Sequence, residues 1–114
     1  VIACVGDGCY QMAGFELMTA VQYGIPVIWI IFDNHEFNII KKFLLNMYND
    51  EAFMDFKNPD FVKYAEACGA KGYRVEKLDE FVPALQDALK QGKPCLIDVL
   101  VDNEVYPPFN LGKV

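Results

Sequence analysis

Apolar residues along the chain fall into two kinds of run. Residues 1–5 (VIACV), 27–32 (VIWIIF) and 95–101 (CLIDVLV) are short, nearly continuous and rich in β-branched side chains, the pattern of strands buried on both faces of a parallel sheet. Residues 73–75 (YRV) make a shorter fourth strand. Between them the apolar positions recur at helical spacing. Phe15, Leu17, Met18 and Val21 predict a helix over residues 12–23, with Gly24 as its C-terminal cap and Pro26 blocking continuation. Residues 37–47 predict a half-buried helix with Lys41 and Lys42 facing outward. Asn58-Pro59-Asp60 predicts a helix start, capped by Asn58 or Asp60, that runs on to Gly69. Over residues 78–90, Phe81, Leu85 and Leu89 share one face, and Gly92 lies beyond the end. Tyr106-Pro107-Pro108-Phe109 predicts an irregular tail.

Strands alternating with helices predict an α/β fold: a three-layer parallel sheet with helices on both faces and right-handed crossovers. The 114 residues make one domain, without repeats or low-complexity segments. Residues 27–32, apolar throughout, belong in the centre of the sheet. In such folds ligands sit beyond the carboxyl ends of the strands. Two polar interruptions fall at such ends, "GDG" at residues 6–8 and "DNHE" at residues 33–36.

Charge narrows the partners. Ten basic and sixteen acidic residues leave a net charge of −6, and no basic stripe is present to displace counterions from phosphates, which excludes nucleic acid and acidic membrane surfaces. An anionic ligand would need a metal or backbone dipoles. The longest apolar run, residues 25–32, is too short to cross a bilayer. Cys4, Cys9, Cys68 and Cys95 are scattered and have only His35 beside them, so they read as reduced thiols of a cytoplasmic protein rather than a zinc site. The chain opens inside an apolar run without an initiator Met, and a longer parent polypeptide is expected.

By itself a GDG turn is ordinary, because Gly and Asp populate turns for conformational reasons. Its context is not. A helix follows the turn, so the backbone N–H groups of Gly8, Cys9 and their neighbours present a positive dipole end that favours an anion. Asn34 stands 27 positions after Asp7, at the end of the strand expected next to it. An aspartate carboxylate and an amide oxygen at one sheet edge are hard ligands, suited to Mg²⁺.

GDG, 25 residues, then an Asn resembles the thiamin-diphosphate motif, in which GDG is followed after about 25 to 30 residues by an Asn usually written NN. The stretch "GDGCYQMAGFELMTAVQYGIPVIWIIFDNHEFNIIKKF" is similar to the cofactor-binding domain of acetolactate synthase-like carboligases and decarboxylases. The likeness continues in "FKNPDFVKYAEACGAKGYRVE", "GKPCLIDVLVD" and "NEVYPPF", and so covers nearly the whole chain. The resemblance implies a thiamin-diphosphate-binding fold, incomplete at its N-terminus. It implies Mg²⁺ held by Asp7, the Asn34 side chain and the Glu36 carbonyl, with Gly6, Gly8, Cys9, Tyr10 and Ile39 against the cofactor. The implied reaction is decarboxylation of a 2-keto acid, pyruvate, with carboligation to an acceptor, in a homodimer or homotetramer of the full-length protein. The glutamate that activates the cofactor is implied to lie in another domain, so no residue here takes that role.

Two positions depart from the common pattern, Asp33 where the first Asn is usual and Asn38 where Gly often follows. Asp33 adds negative charge near a diphosphate, and Asn38 is expected to take the left-handed backbone conformation that Gly would adopt. His35 reads as a solvated loop histidine, Glu16 as a first-turn complement to the helix dipole, and Trp29 as packing. Phe37, Ile39 and Ile40 are pocket candidates. Alternatives to carboligation are simple 2-keto acid decarboxylation or another thiamin-dependent acyl transfer. A non-catalytic nucleotide module would want GxGxxG, whereas residues 6–11 read GDGCYQ.

Overall fold

The computed structural model of the chain describes residues 1–104; the expected tail at residues 106–109 lies outside them. Four strands, β1 (Ile2–Gly6), β2 (Ile28–Asp33), β3 (Lys71–Val75) and β4 (Cys95–Leu100), form one sheet in the order β1-β2-β4-β3. Every pairing is parallel. Around it lie α1 (Asp7–Ala13), α2 (Glu16–Tyr23), α3 (Asn38–Tyr48), α4 (Phe61–Ala67) and α5 (Leu78–Gln91).

Strand alternation divides the core in two. Ile31 and Leu96 point to one face, where Tyr10 of α1, Leu17 of α2 and Phe61 and Ala65 of α4 cover them. Ile28, Ile30, Cys95 and Ile97 point to the other, beneath Ala88 of α5 with Phe81, Ala84 and Leu85. Helices therefore cover both faces, as the apolar runs of β2 and β4 require. The chain steps across the sheet from β1 to β2 to β3 with helices on one face, then back to β4 with α5 on the other. Reversing direction and face together keeps the hand of the crossover constant.

Several expectations are corrected. β1 pairs on one side only, and Ile2 and Cys4 are exposed rather than buried. The helix expected at residues 12–23 begins five residues earlier, at Asp7, and is broken at Gly14 and Phe15 into α1 and α2. β3 starts at Lys71, two residues before the predicted strand at 73–75, because its backbone follows β4 in register from Cys95. Helix α3 buries no residue and belongs to neither cluster. Leu89 is exposed, and the small Ala88 takes the buried position because α5 lies close to the sheet. Asp60, one of the two predicted caps, holds the start of α4 by accepting from the Lys63 N–H at 3.2 Å.

Helix α4 approaches β3 so closely that a Cβ on Gly72 would stand 2.8 Å from Val62 Cα and 2.9 Å from Val62 O, both backbone atoms that no rotamer change can move. Gly72→Ala is expected to lower stability by about 1–3 kcal/mol, the usual cost of overpacking. Gly6→Ala, with nothing within 4 Å of the added carbon, is the control that leaves the urea midpoint unchanged.

Candidate functional site

At the carboxyl ends of β1 and β2, which pair Gly6 with Phe32, the chain changes direction twice. After Gly6 it enters α1 directly, so Asp7 and Gly8 form the first helical turn rather than a loop before it. After Asp33 it passes through His35, whose φ of 61° is left-handed. The expected left-handed residue, Asn38, instead starts α3. His35 takes that conformation because its N–H and that of Asn34 must both turn toward β1.

What they meet is the Asp7 carboxylate, 3% exposed. Oδ2 accepts from Asn34 N at 3.1 Å and His35 N at 2.8 Å, and Oδ1 accepts from Gly8 N at 2.8 Å. A buried carboxylate without such donors would be costly. The Asn34 side-chain oxygen accepts from Glu36 N at 3.3 Å, which curls the segment between them into a turn. Phe37 then lays its ring on Gly8, where a Cβ would be 2.5 Å from the ring edge, and its ring centroid lies 4.6 Å from that of Phe56 with the planes tilted by 49°. That contact, rather than any unusual dihedral, is what demands glycine at position 8.

The remaining predicted residues divide. Cys9 is exposed at the start of α1. Tyr10 sends its ring into the core, edge-on to Phe61 and Tyr64, and burial pushes its phenol well above the ordinary range. Ile39 and Ile40 on α3 are half exposed. Lys41 does not face outward: its ammonium reaches the buried Glu36 carboxylate at 2.9 Å, Asp55 at 3.2 Å and Glu51 at 3.6 Å. Through Glu36 and Asp55, which also pair in an antiparallel bridge, it ties the segment before α4 to the site. A polar cleft of about 300 Å³ opens beside Glu36, lined by Lys41, Lys42, Leu45, Asn103 and Glu104. Asn38 Nδ2 donates to the Asn103 carbonyl across it at 2.9 Å.

Among the described residues no three His, Cys, Asp or Glu side chains converge as a metal cluster. An ion here would draw on amide and carbonyl oxygens.

Residues 1–99 match the family described as "Thiamine pyrophosphate enzyme, C-terminal TPP binding domain". The chain belongs to this family. It is 36% identical over 102 residues to the acetolactate synthase of Bacillus subtilis (strain 168), a match covering 90% of this chain and 18% of that protein. It is 35% identical over 113 residues to the sulfoacetaldehyde acetyltransferase of Alcaligenes xylosoxydans xylosoxydans, covering 95% and 19%. The structure of benzoylformate decarboxylase from Polynucleobacter necessarius superposes with a TM-score of 0.86 at 33% identity, over 94% of this chain and 20% of that one. The chain thus spans about a fifth of the length of these relatives. No helix among the described residues is long and apolar enough to cross a membrane.

Two residues of this thiamine pyrophosphate enzyme domain take places at the site that the sequence did not signal. Asn58, before α4, places its amide nitrogen 2.8 Å from Asp7 Oδ2 and 2.5 Å from Asp33 Oδ1. Asp98, fully buried on β4, has no hydrogen bond to either oxygen, and its charge partner is Arg74 Nε at 3.1 Å. Asn58 sat inside a helix-start signal, and Asp98 inside an apolar strand; only their partners, distant in sequence, reveal them.

Burial pushes the Asp98 carboxyl up to about 7, against Arg74 and with the help of the neighbouring Asp33. A proton kept on Asp98 removes one of two adjacent buried charges and supplies the donor this pair lacks. Asp33 is raised too, chiefly by burial. The native state therefore holds protons that the unfolded chain has released above its ordinary carboxyl pKa. Stability is expected to be highest below about pH 4 with respect to these groups and to fall as pH rises toward 7. Asp98→Asn should flatten that fall in urea titrations run across the window.

Proposed function

We propose that this domain binds the diphosphate of thiamin diphosphate through Mg²⁺ held by Asp7, the Asn34 side chain and the Glu36 carbonyl. The intact protein would use it to decarboxylate a 2-keto acid, pyruvate, and join the remaining fragment to an acceptor carbonyl compound, as an acetolactate synthase does. The observation that supports this most is the pair of N–H bonds from Asn34 and His35 to the Asp7 carboxylate, which brings the two halves of the motif to one point.

The oxygen set fits a small hard cation. Asp7 Oδ1 carries one hydrogen bond, from Gly8, and Asn34 Oδ1 one, from Glu36 N. Among the described residues no backbone N–H donates to the Glu36 carbonyl. Three oxygens with spare lone pairs, one of them charged, are what Mg²⁺ prefers while it keeps waters and phosphate oxygens for its other positions. With the ion in place, a domain whose site is otherwise acidic can hold an anionic group.

Gly6 supplies no capping side chain to α1, which leaves room for the diphosphate at the first turn, where the main-chain N–H groups of Cys9 and Tyr10 would meet it. Phe37 on Gly8 pins the segment carrying Asn34 and Glu36 against α1, so the ligands are fixed before the ion arrives. Ile39, exposed on the first turn of α3, would lie against the cofactor, with Phe37 and Ile40 toward the substrate. When bound, thiamin diphosphate supplies the nucleophilic carbon and the electron sink for decarboxylation. The chain's own part is to orient it, which removes positional entropy from the reaction. The activating glutamate would come from outside this chain, in a homodimer or homotetramer of the intact protein.

A second reading, simple 2-keto acid decarboxylation, draws on the likeness to solved decarboxylases. Incubating the intact protein with pyruvate, Mg²⁺ and thiamin diphosphate is expected to give acetolactate or acetoin, whereas acetaldehyde alone would favour the second reading. Calorimetric titration should show cofactor binding that needs the metal and that Asp7→Ala abolishes. Undiminished binding by that variant would overturn the assignment. Residues 1–114 alone are expected not to turn over pyruvate.

A further inference from the structure

The Asn58 carboxamide stands where the site's charges meet. Its oxygen accepts from Gln11 Nε2 on α1, which fixes the amide with its nitrogen facing inward. That nitrogen has three acceptor atoms within reach: Asp33 Oδ1 at 2.5 Å, Asp7 Oδ2 at 2.8 Å and His35 Nδ1 at 3.1 Å. An amide has two hydrogens. One goes to each carboxylate, and His35 Nδ1 lies 3.3 Å from Asp33 Oδ1.

Asp7 and Asp33 are each 3% exposed, so two desolvated carboxylates lie next to one another with a single amide nitrogen between them. Without that nitrogen the two like charges face each other with nothing between them, and their repulsion would turn the Asp7 carboxylate out of its present orientation. Oδ2 is also the atom that takes three donors, from Asn34, His35 and Asn58, while Oδ1 takes one. The amide thus helps to keep Oδ2 of Asp7 occupied, while Oδ1 accepts from Gly8 N alone.

We infer that Asn58 is a positioning residue for the metal: its amide separates the Asp7 carboxylate from Asp33 and holds that carboxylate in the orientation in which Oδ2 takes three donors and Oδ1, with one, is left for Mg²⁺. The inference rests on the diphosphate reading above and deepens it. It explains how this chain carries an acid at position 33, and it puts a residue 51 positions from Asp7 into the binding machinery, through the segment that starts α4.

The test is a double-mutant cycle on the intact protein, read as Mg²⁺ affinity by calorimetry at saturating thiamin diphosphate. Loss of a partner that orients a metal ligand typically costs about 10–100-fold in metal affinity, and Asn58→Ala is expected in that range. In an Asp33→Asn background, where one carboxylate of the pair bridged by Asn58 is gone, the same substitution should cost less than about threefold, since the two sites then no longer couple through charge. A purely structural role for Asn58 would cost the same in both backgrounds, and that result overturns the inference, as does an affinity within about twofold of the parent for Asn58→Ala. Should the alanine variant not fold, Asn58→Gln, which moves the amide by one methylene, is held to the same two limits. Failure of the parent protein to bind thiamin diphosphate with Mg²⁺ overturns the diphosphate reading and this inference with it. Parent binding with an indifferent Asn58 overturns the inference alone.

Discussion

The Asp7 carboxylate is the constraint around which the rest of this domain is arranged. It is buried at the end of β1 and accepts from the N–H groups of Asn34 and His35 at the end of β2. A desolvated charge costs several kcal/mol unless donors surround it, so the two chain reversals are coupled to each other. The left-handed backbone at His35 and the helical start at Asp7 are both consequences. Moving either strand end by one residue would strand the charge.

That carboxylate is one of four buried acids, with Asp33, Glu36 and Asp98. Each is balanced differently. Glu36 has the Lys41 ammonium, Asp33 shares the Asn58 amide, and Asp98 has Arg74 and a raised pKa. The balancing groups come from α3, from the segment before α4, and from β3. One acidic sheet edge therefore draws together elements that bury few apolar side chains, α3 among them. Such an accumulation of negative charge is expensive in an empty fold and useful beside a divalent cation.

The relatives this chain resembles include a synthase, an acetyltransferase and a decarboxylase, while the stretch they share with it is about a fifth of each. Different outcomes with a similar domain make physical sense if the domain's task is to hold a diphosphate. The groups that choose an acceptor or a proton source then lie mostly elsewhere.

Periodicity and composition made the α/β class, the central position of residues 27–32 and the pairing of Asp7 with the strand end at Asn34 legible in the sequence alone. Those features follow from local patterns: a run buried on both faces must be apolar throughout, and a polar break in it falls at a strand end. What local pattern cannot carry is a contact between residues far apart. The start of α1 at Asp7, the reach of Lys41 back to Glu36, Asn58 between two carboxylates and Asp98 beneath Arg74 were each decided by the tertiary structure. In every case the residue type alone is compatible with a solvated surface, a cap or a strand. It acquires its role only when the sheet places a buried charge beside it and leaves it as the nearest partner.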